Sequence, residues 1–178
     1  MTTKININGE INDEASISIF DHGFLFGDSI YEVVCTSQGK PCFLDEHLNR
    51  LYESASGISL EIPNTPEKLK EQIQITLDSA GNYESYIRII VTRGVGEVDI
   101  DPSSCFNPNI IIFVKGIPKI SDESYRKGVS IALVSIKRNS RDSLNPAVKT
   151  GNYLNNVLAR IEAQRMGADD SIMVNSMG

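Results

Sequence analysis

Much of what this 178-residue sequence can be is settled by what it lacks. No apolar run approaches the roughly 20 residues of a bilayer-spanning helix. The opening MTTKININGE has none of the apolar core of a secretory signal, so a cytoplasmic protein is expected. Positive charge is in short supply. Lysine and arginine total 17 against 23 aspartates and glutamates, a net charge of -6, which argues against a nucleic-acid partner. The two histidines, His22 and His47, stand too far apart in sequence to suggest a zinc site by spacing. Three cysteines, Cys35, Cys42 and Cys105, are odd in number and form no C-x-x-C; they read as reduced, packed small side chains. There is no G-x-x-x-x-G-K-[ST] and no G-x-S-x-G, and the glycines of TRGVGEVD do not complete G-x-G-x-x-G. Metal hydrolase, P-loop and serine hydrolase chemistry therefore find no motif support.

What is present is an ordinary globular mixture, 40% hydrophobic and 22% charged, long enough to bury a real core. Asn8-Gly9 interrupts an apolar-polar alternation and signals a hairpin; IYEVVCT and KPCFL flank a second turn at SQG. The period then becomes helical. LDEHLNRLYESASG places Leu44, Leu48, Leu51, Tyr52 and Ala55 on one face, with Gly57 as its expected C-cap. A second helix opens at Thr65 and Pro66, buries Leu69, Ile73, Leu77 and Ala80, and stops at Gly81. YIRIIVT and NIIIFV read as strands. Further on, SIALVSI is a strand, 151–165 a helix bearing Tyr153, Leu154, Val157, Leu158, Ile161 and Ala163, and SIMV a short strand. The pattern predicts an α+β fold with a complete small domain over 1–115, a linker over 116–124 around KGIPKISDES, and the beginning of a second domain over 125–178.

Four places could carry chemistry. Lys149 follows Pro146, Ala147 and Val148 and precedes a helix, so its amine is aimed from a half-buried turn; burial favours the neutral, nucleophilic form. The alternative is a surface lysine at a helix start. Arg50 lies three residues after His47 on nearly the same helix face and could grip a phosphate, or simply pair with Asp45, Glu46 or Glu53. Strand period puts Tyr86, Arg88 and Ile90 on one face, where donors from Tyr86 and Arg88 could meet a carboxylate or merely face water; Arg93 is a weaker version. Phe20, Phe24, Phe26 and Tyr31 surround Gly23 and Gly27 and could line a pocket or belong to a core.

In order, DHGFLFGDSIYEVV, FLDEHLNRLYESA, YIRIIVTRGVGEVDIDP, RNSRDSLNPAVKTGNYLNNVLARIEA and GADDSIMVN resemble the class IV (fold type IV) pyridoxal-phosphate aminotransferases, most of all those for branched-chain amino acids. The resemblance runs through essentially the whole chain. It implies a small α/β domain followed by the start of a larger pseudobarrel domain. It further implies that Lys149 holds pyridoxal 5'-phosphate as an aldimine and moves the substrate proton, that Arg50 grips the cofactor phosphate, and that Tyr153 hydrogen-bonds near the phenolic oxygen. Tyr86 and Arg88 match residues facing substrate carboxylates, and Phe26 and Tyr31 match pocket-lining aromatics. Branched-chain L-amino acids and 2-oxoglutarate would be the substrates, in a cytoplasmic homodimer with no membrane or nucleic-acid partner. In the family the glutamate that pairs with the pyridine nitrogen follows the last strand seen here, so the second domain is expected to be incomplete.

Two siblings share the pattern. D-amino acid aminotransferases resemble it but carry basic residues after the TRG strand, where this chain reads VGEVDIDPSSC. Aminodeoxychorismate lyases use the same lysine for elimination. A reading of another class is a non-catalytic fragment whose small domain self-associates.

Overall fold

The computed structural model describes residues 1–117 and 122–178. Its contacts form two units, one of Met1–Ile117 with Val148–Gly151, the other of Pro118–Ala147 with Asn152–Gly178. The linker expected over 116–124 includes residues 118–121, which lie outside the described residues.

The first unit is an antiparallel sheet with helices on one face. Strands β1 (Thr3–Ile7) and β2 (Glu10–Asn12) form the first hairpin, with Asn8 at φ 54 and Gly9 at φ 101 in the left-handed region a two-residue turn demands. After the short helix α1 (His22–Leu25) come β3 (Ser29–Ser37) and β4 (Lys40–Pro41), joined through Gln38 and Gly39, both with positive φ. Helices α2 (Leu44–Gly57) and α3 (Pro66–Ala80) precede β5 (Ser85–Thr92) and β6 (Asn109–Gly116). The sheet order is β2-β1-β6-β5-β3-β4.

Periodicity explains which face is covered. Ile30 and Val34 on β3, Ile87, Ile89 and Val91 on β5, and Ile110, Ile112 and Val114 on β6 join one cluster with Leu48 and Leu51 of α2 and Leu69, Ile73 and Leu77 of α3. Helix α3 follows the expected signals: the Thr65 hydroxyl accepts from Lys68 N, Pro66 is its first residue, and Gly81 ends it at φ 61. Helix α2 differs at its end. Gly57 is its last helical residue and Ile58 the C-cap. Cysteine packing also differs from expectation: Cys35 is exposed, and Cys42 and Cys105 are half-buried.

In the second unit, α4 (Asp122–Lys127) precedes β7 (Ile131–Leu133), α5 (Leu154–Arg165) and β8 (Asp170–Ile172). Strands β7 and β8 pair in parallel, as a helix crossover requires. The expected helix over 151–165 begins only at Leu154, because Gly151 belongs to an extended segment of the first unit. Helix α5 packs on its smallest residues. Its buried residues are Ala159 and Ala163, four apart, which let the helix lie close to Ala132 and Val134. Leu154, Val157, Leu158 and Ile161 are exposed.

Candidate active site

Lys149 is placed by its backbone. Residues 148–151 add to the edge of β3: Tyr31 N donates to Lys149 O (3.0 Å), Gly151 N donates to Ser29 O (2.7 Å), and Thr150 bridges Ile30. On the other side Lys149 N donates to Ser54 Oγ of α2 at 3.2 Å. Two glycines permit the fit. A Cβ at Gly57 would come within 2.7 Å of Val148 Cγ2, and one at Gly151 within 2.1 Å of Ser29 Oγ. Arg50, Ser54 and Gly57 are spaced i, i+4, i+7 along α2, so the arginine shares the helix face that touches the lysine segment. Gly57→Ala should therefore destabilise the chain by about 1–2 kcal/mol, overpacking outweighing the gain in helix propensity. A lowered urea midpoint with unchanged slope is the expected result.

The side chains meet on the sheet face away from α2 and α3. Tyr31 is 6% exposed. Arg88 Cζ lies 4.1 Å and Lys149 Nζ 4.2 Å from its ring centroid. Both cations are thus attracted to one aromatic ring. Arg88 Nε is buried and has no hydrogen-bond partner among the described residues. A buried guanidinium nitrogen left this way carries a desolvation cost that an arriving carboxylate would relieve. Tyr86, on the same face of β5, stacks on Phe113 at 6.0 Å and lies under Lys115 Nζ at 5.5 Å.

Arg50 is held by a residue that the sequence reading overlooked. Glu32, fully buried on the core-facing side of β3, accepts from Arg50 Nε (2.5 Å) and Nη2 (2.7 Å) and contacts His47 Nδ1 at 2.9 Å. The fork is bidentate, and half of the Arg50 side chain remains accessible. Burial pushes the Glu32 carboxyl up. Hydrogen bonds from Arg50 and His47, the Arg50 charge and the Val33 N–H outweigh it, so the group titrates below the usual carboxylate range. The sequence signal was the carboxylate at the inward position between Ile30 and Val34, where a charge needs a partner.

Glu32→Gln should lower stability by about 1–3 kcal/mol at neutral pH. With the native pKa depressed, the carboxylate's contribution is complete above the unfolded value and lost as pH falls through the native one. The stability gap between wild type and Glu32→Gln should accordingly narrow in acid, as read by urea titrations at both pH values.

The remaining candidates fall elsewhere. Phe26 is 40% exposed and meets His22 edge-on at 5.0 Å. Tyr153, at the N-cap of α5, belongs to the second unit. Arg93 is committed to structure: it forks onto Asp28 at 2.8 and 3.0 Å and donates to the carbonyls of Ile58 and Ser59. Among the described residues no group of histidine, cysteine and carboxylate side chains could hold a metal, and no helix is long and apolar enough to cross a membrane.

Known proteins resemble the chain along its whole length. A Methanocaldococcus jannaschii protein named "Putative branched-chain-amino-acid aminotransferase" is 40% identical over 177 residues, covering 98% of this chain and 60% of that protein. A D-alanine aminotransferase of Staphylococcus haemolyticus is 34% identical, covering 96% and 60%. The solved T.th. branched-chain amino acid aminotransferase with pyridoxamine 5'-phosphate superposes with a TM-score of 0.93 at 27% identity, covering 100% of this chain and 61% of that one. The Escherichia coli branched-chain enzyme, at 22% identity and a TM-score of 0.88, shares the fold. The chain thus spans about three-fifths of the length of these relatives. From the first residue of β3 onward, over residues 29–178, it matches the family model of class IV aminotransferases, and it belongs to that family.

Proposed function

We propose that the protein containing this chain exchanges amino groups between branched-chain L-amino acids and 2-oxoglutarate, using pyridoxal 5'-phosphate. The observation that carries the reading is the convergence of the Lys149 amine and the Arg88 guanidinium on Tyr31, with Arg88 Nε buried and unsatisfied. An amine and an arginine Nε that lacks an acceptor, both set against one ring, suit a ligand that combines a carbonyl with a carboxylate.

The residues present fit the cofactor. Lys149 offers the amine that anchors its aldehyde. Arg50, aligned by Glu32 and half accessible, offers donors to its phosphate. Tyr153, four residues after Lys149, is assigned to the phenolic oxygen. When bound, pyridoxal 5'-phosphate supplies the electron sink for charge at the substrate Cα.

The chain's own work is then positioning and proton transfer. Lys149, fixed through both its N–H and its carbonyl, would take the proton from the substrate Cα and hold it for return to the substrate. Arg88 and Tyr86 donate to substrate carboxylates from one face of β5. Tyr31 walls the pocket, its ring in contact with both the lysine and the arginine side chains, and Phe26 contributes a further apolar surface.

The loop after Arg93 carries Glu97, Asp99 and Asp101 and no basic residue through Cys105, which favours the branched-chain over the D-alanine specificity. We place the protein in the cytoplasm as a homodimer, by its family resemblance. The test uses the full-length protein: L-leucine with 2-oxoglutarate should yield glutamate. Transfer from D-alanine without transfer from L-leucine would replace this reading by the D-specific one.

A further inference from the structure

The β3–β4 hairpin carries two of the three cysteines, and the aminotransferase reading uses neither. Its register pairs Thr36 with Pro41 and Ser37 with Lys40. One step back along both strands stands Cys35 opposite Cys42, and Cys42 N donates to Cys35 O at 2.9 Å. Cys42 lies just past the end of β4, and this single backbone bond holds it across from Cys35 at the last rung of the hairpin. Hydrogen-bonded pairs hold their Cα atoms about 5.5 Å apart, within the roughly 4.4–6.8 Å that a disulfide spans. Opposed residues project to the same face with Cβ atoms about 4.5–5.5 Å apart, nearer the upper end at a hydrogen-bonded position, so closing to the roughly 3.5–4.5 Å of a disulfide draws the two chain segments together by about 1 Å or more.

Access and rigidity agree. Cys35 is exposed and Cys42 half-buried, and both are free thiols. The hairpin is fastened on its other side by Glu84, which accepts from Thr36 Oγ1 (2.5 Å) and Gln38 N (2.6 Å). Cys105 is different: it is half-buried, its thiol is pushed up by burial, and its sulfur lies 3.7 Å from Gly94 O.

We propose that Cys35 and Cys42 form a reversible thiol–disulfide site whose reagent is a small-molecule disulfide. One cysteine sulfur attacks the reagent, forms a mixed disulfide and releases one small thiol. The other attacks the protein-bound sulfur, closes the Cys35–Cys42 bond and expels the second small thiol. The protein loses two hydrogens, and the reagent is reduced to two thiols. The required drawing-in makes the bond readily reducible. It falls beside Phe43, whose φ of 52 turns the chain into α2, the helix that carries His47 and Arg50. Oxidation would thus pin the entrance of that helix.

The experiment uses the full-length protein, fully reduced, with oxidised glutathione as the probe, followed by alkylation and peptide mass mapping. Lys40 precedes Pro41, so one tryptic peptide, 5–50, holds both thiols. The expected product is that peptide lighter by two hydrogens and unalkylated, with Cys105 still alkylated and dithiothreitol restoring both thiols. Cys42→Ser should instead accumulate a glutathione adduct at Cys35. Stable glutathione adducts on the wild-type peptide, or three equally alkylated cysteines, would overturn the proposal. Running the same oxidation in denaturant separates hairpin geometry from sequence proximity: the selectivity over Cys105 should fall. None of these outcomes depends on aminotransferase activity.

Discussion

Lys149→Ala in the full-length protein should cut transamination by about a thousandfold or more, since a positioned acid–base group contributes about 10²–10⁴. The fold should tolerate the change. What anchors residue 149 is its backbone, through Ser54 Oγ on one side and Tyr31 N on the other, and alanine keeps both bonds. Loss of the side chain removes one cation from the Tyr31 ring, worth about 0.5–2 kcal/mol. A second readout needs no turnover. After incubation with pyridoxal 5'-phosphate and borohydride reduction, wild type should carry one phosphopyridoxyl group at Lys149 and the variant none. An adduct elsewhere, or a fully active variant, would mean that the amine is not the anchor. Lys149→Arg, which keeps the charge without a nucleophilic amine, should be as inactive as alanine.

The division between backbone and side chain also marks how far the sequence could be read. Local signals carried the first unit well. Asn8-Gly9 made its hairpin, Thr65, Pro66 and Gly81 bounded α3, and strand period put Tyr86 and Arg88 on the face away from the core. Each of these depends on neighbours within a few residues. Lys149 was suspected from its apolar flank, but its position depends on Ser29 to Tyr31, far back in the chain, and no local pattern encodes that pairing. For the same reason the helix expected from Gly151 starts late: tertiary hydrogen bonding to β3 overrode a weak local preference. Gly57 was read as a terminator because glycine commonly is one, whereas here its missing side chain makes room for Val148. Helix α5 is positioned less by its large apolar residues than by Ala159 and Ala163, which allow the close approach to a two-stranded sheet. Glu32 was legible in principle, as a carboxylate inside an apolar strand, but its partner sits on a helix that strand pattern alone does not reveal.

Arg88→Lys provides the sharpest test of what the sheet face recognises. Lysine preserves a cation near Tyr31 but cannot present the planar fork that matches a carboxylate. Charge-assisted hydrogen bonds to such a group are worth about 1.5–3 kcal/mol, and each 1.4 kcal/mol is about tenfold in affinity. KM for the amino and oxo acid substrates should therefore rise by about 10–100-fold, with the melting temperature little changed because the site lies off the main core. Arg88→Met should raise KM at least as far and also lose the cation–π contact. If Arg88 merely props Tyr31, the order reverses: Arg88→Lys would leave KM intact, and Arg88→Met would show its effect in stability. The unsatisfied Nε favours the first outcome, because a purely structural arginine in a buried setting is expected to have its donors paired within the protein, as Arg93 does with Asp28, Ile58 and Ser59.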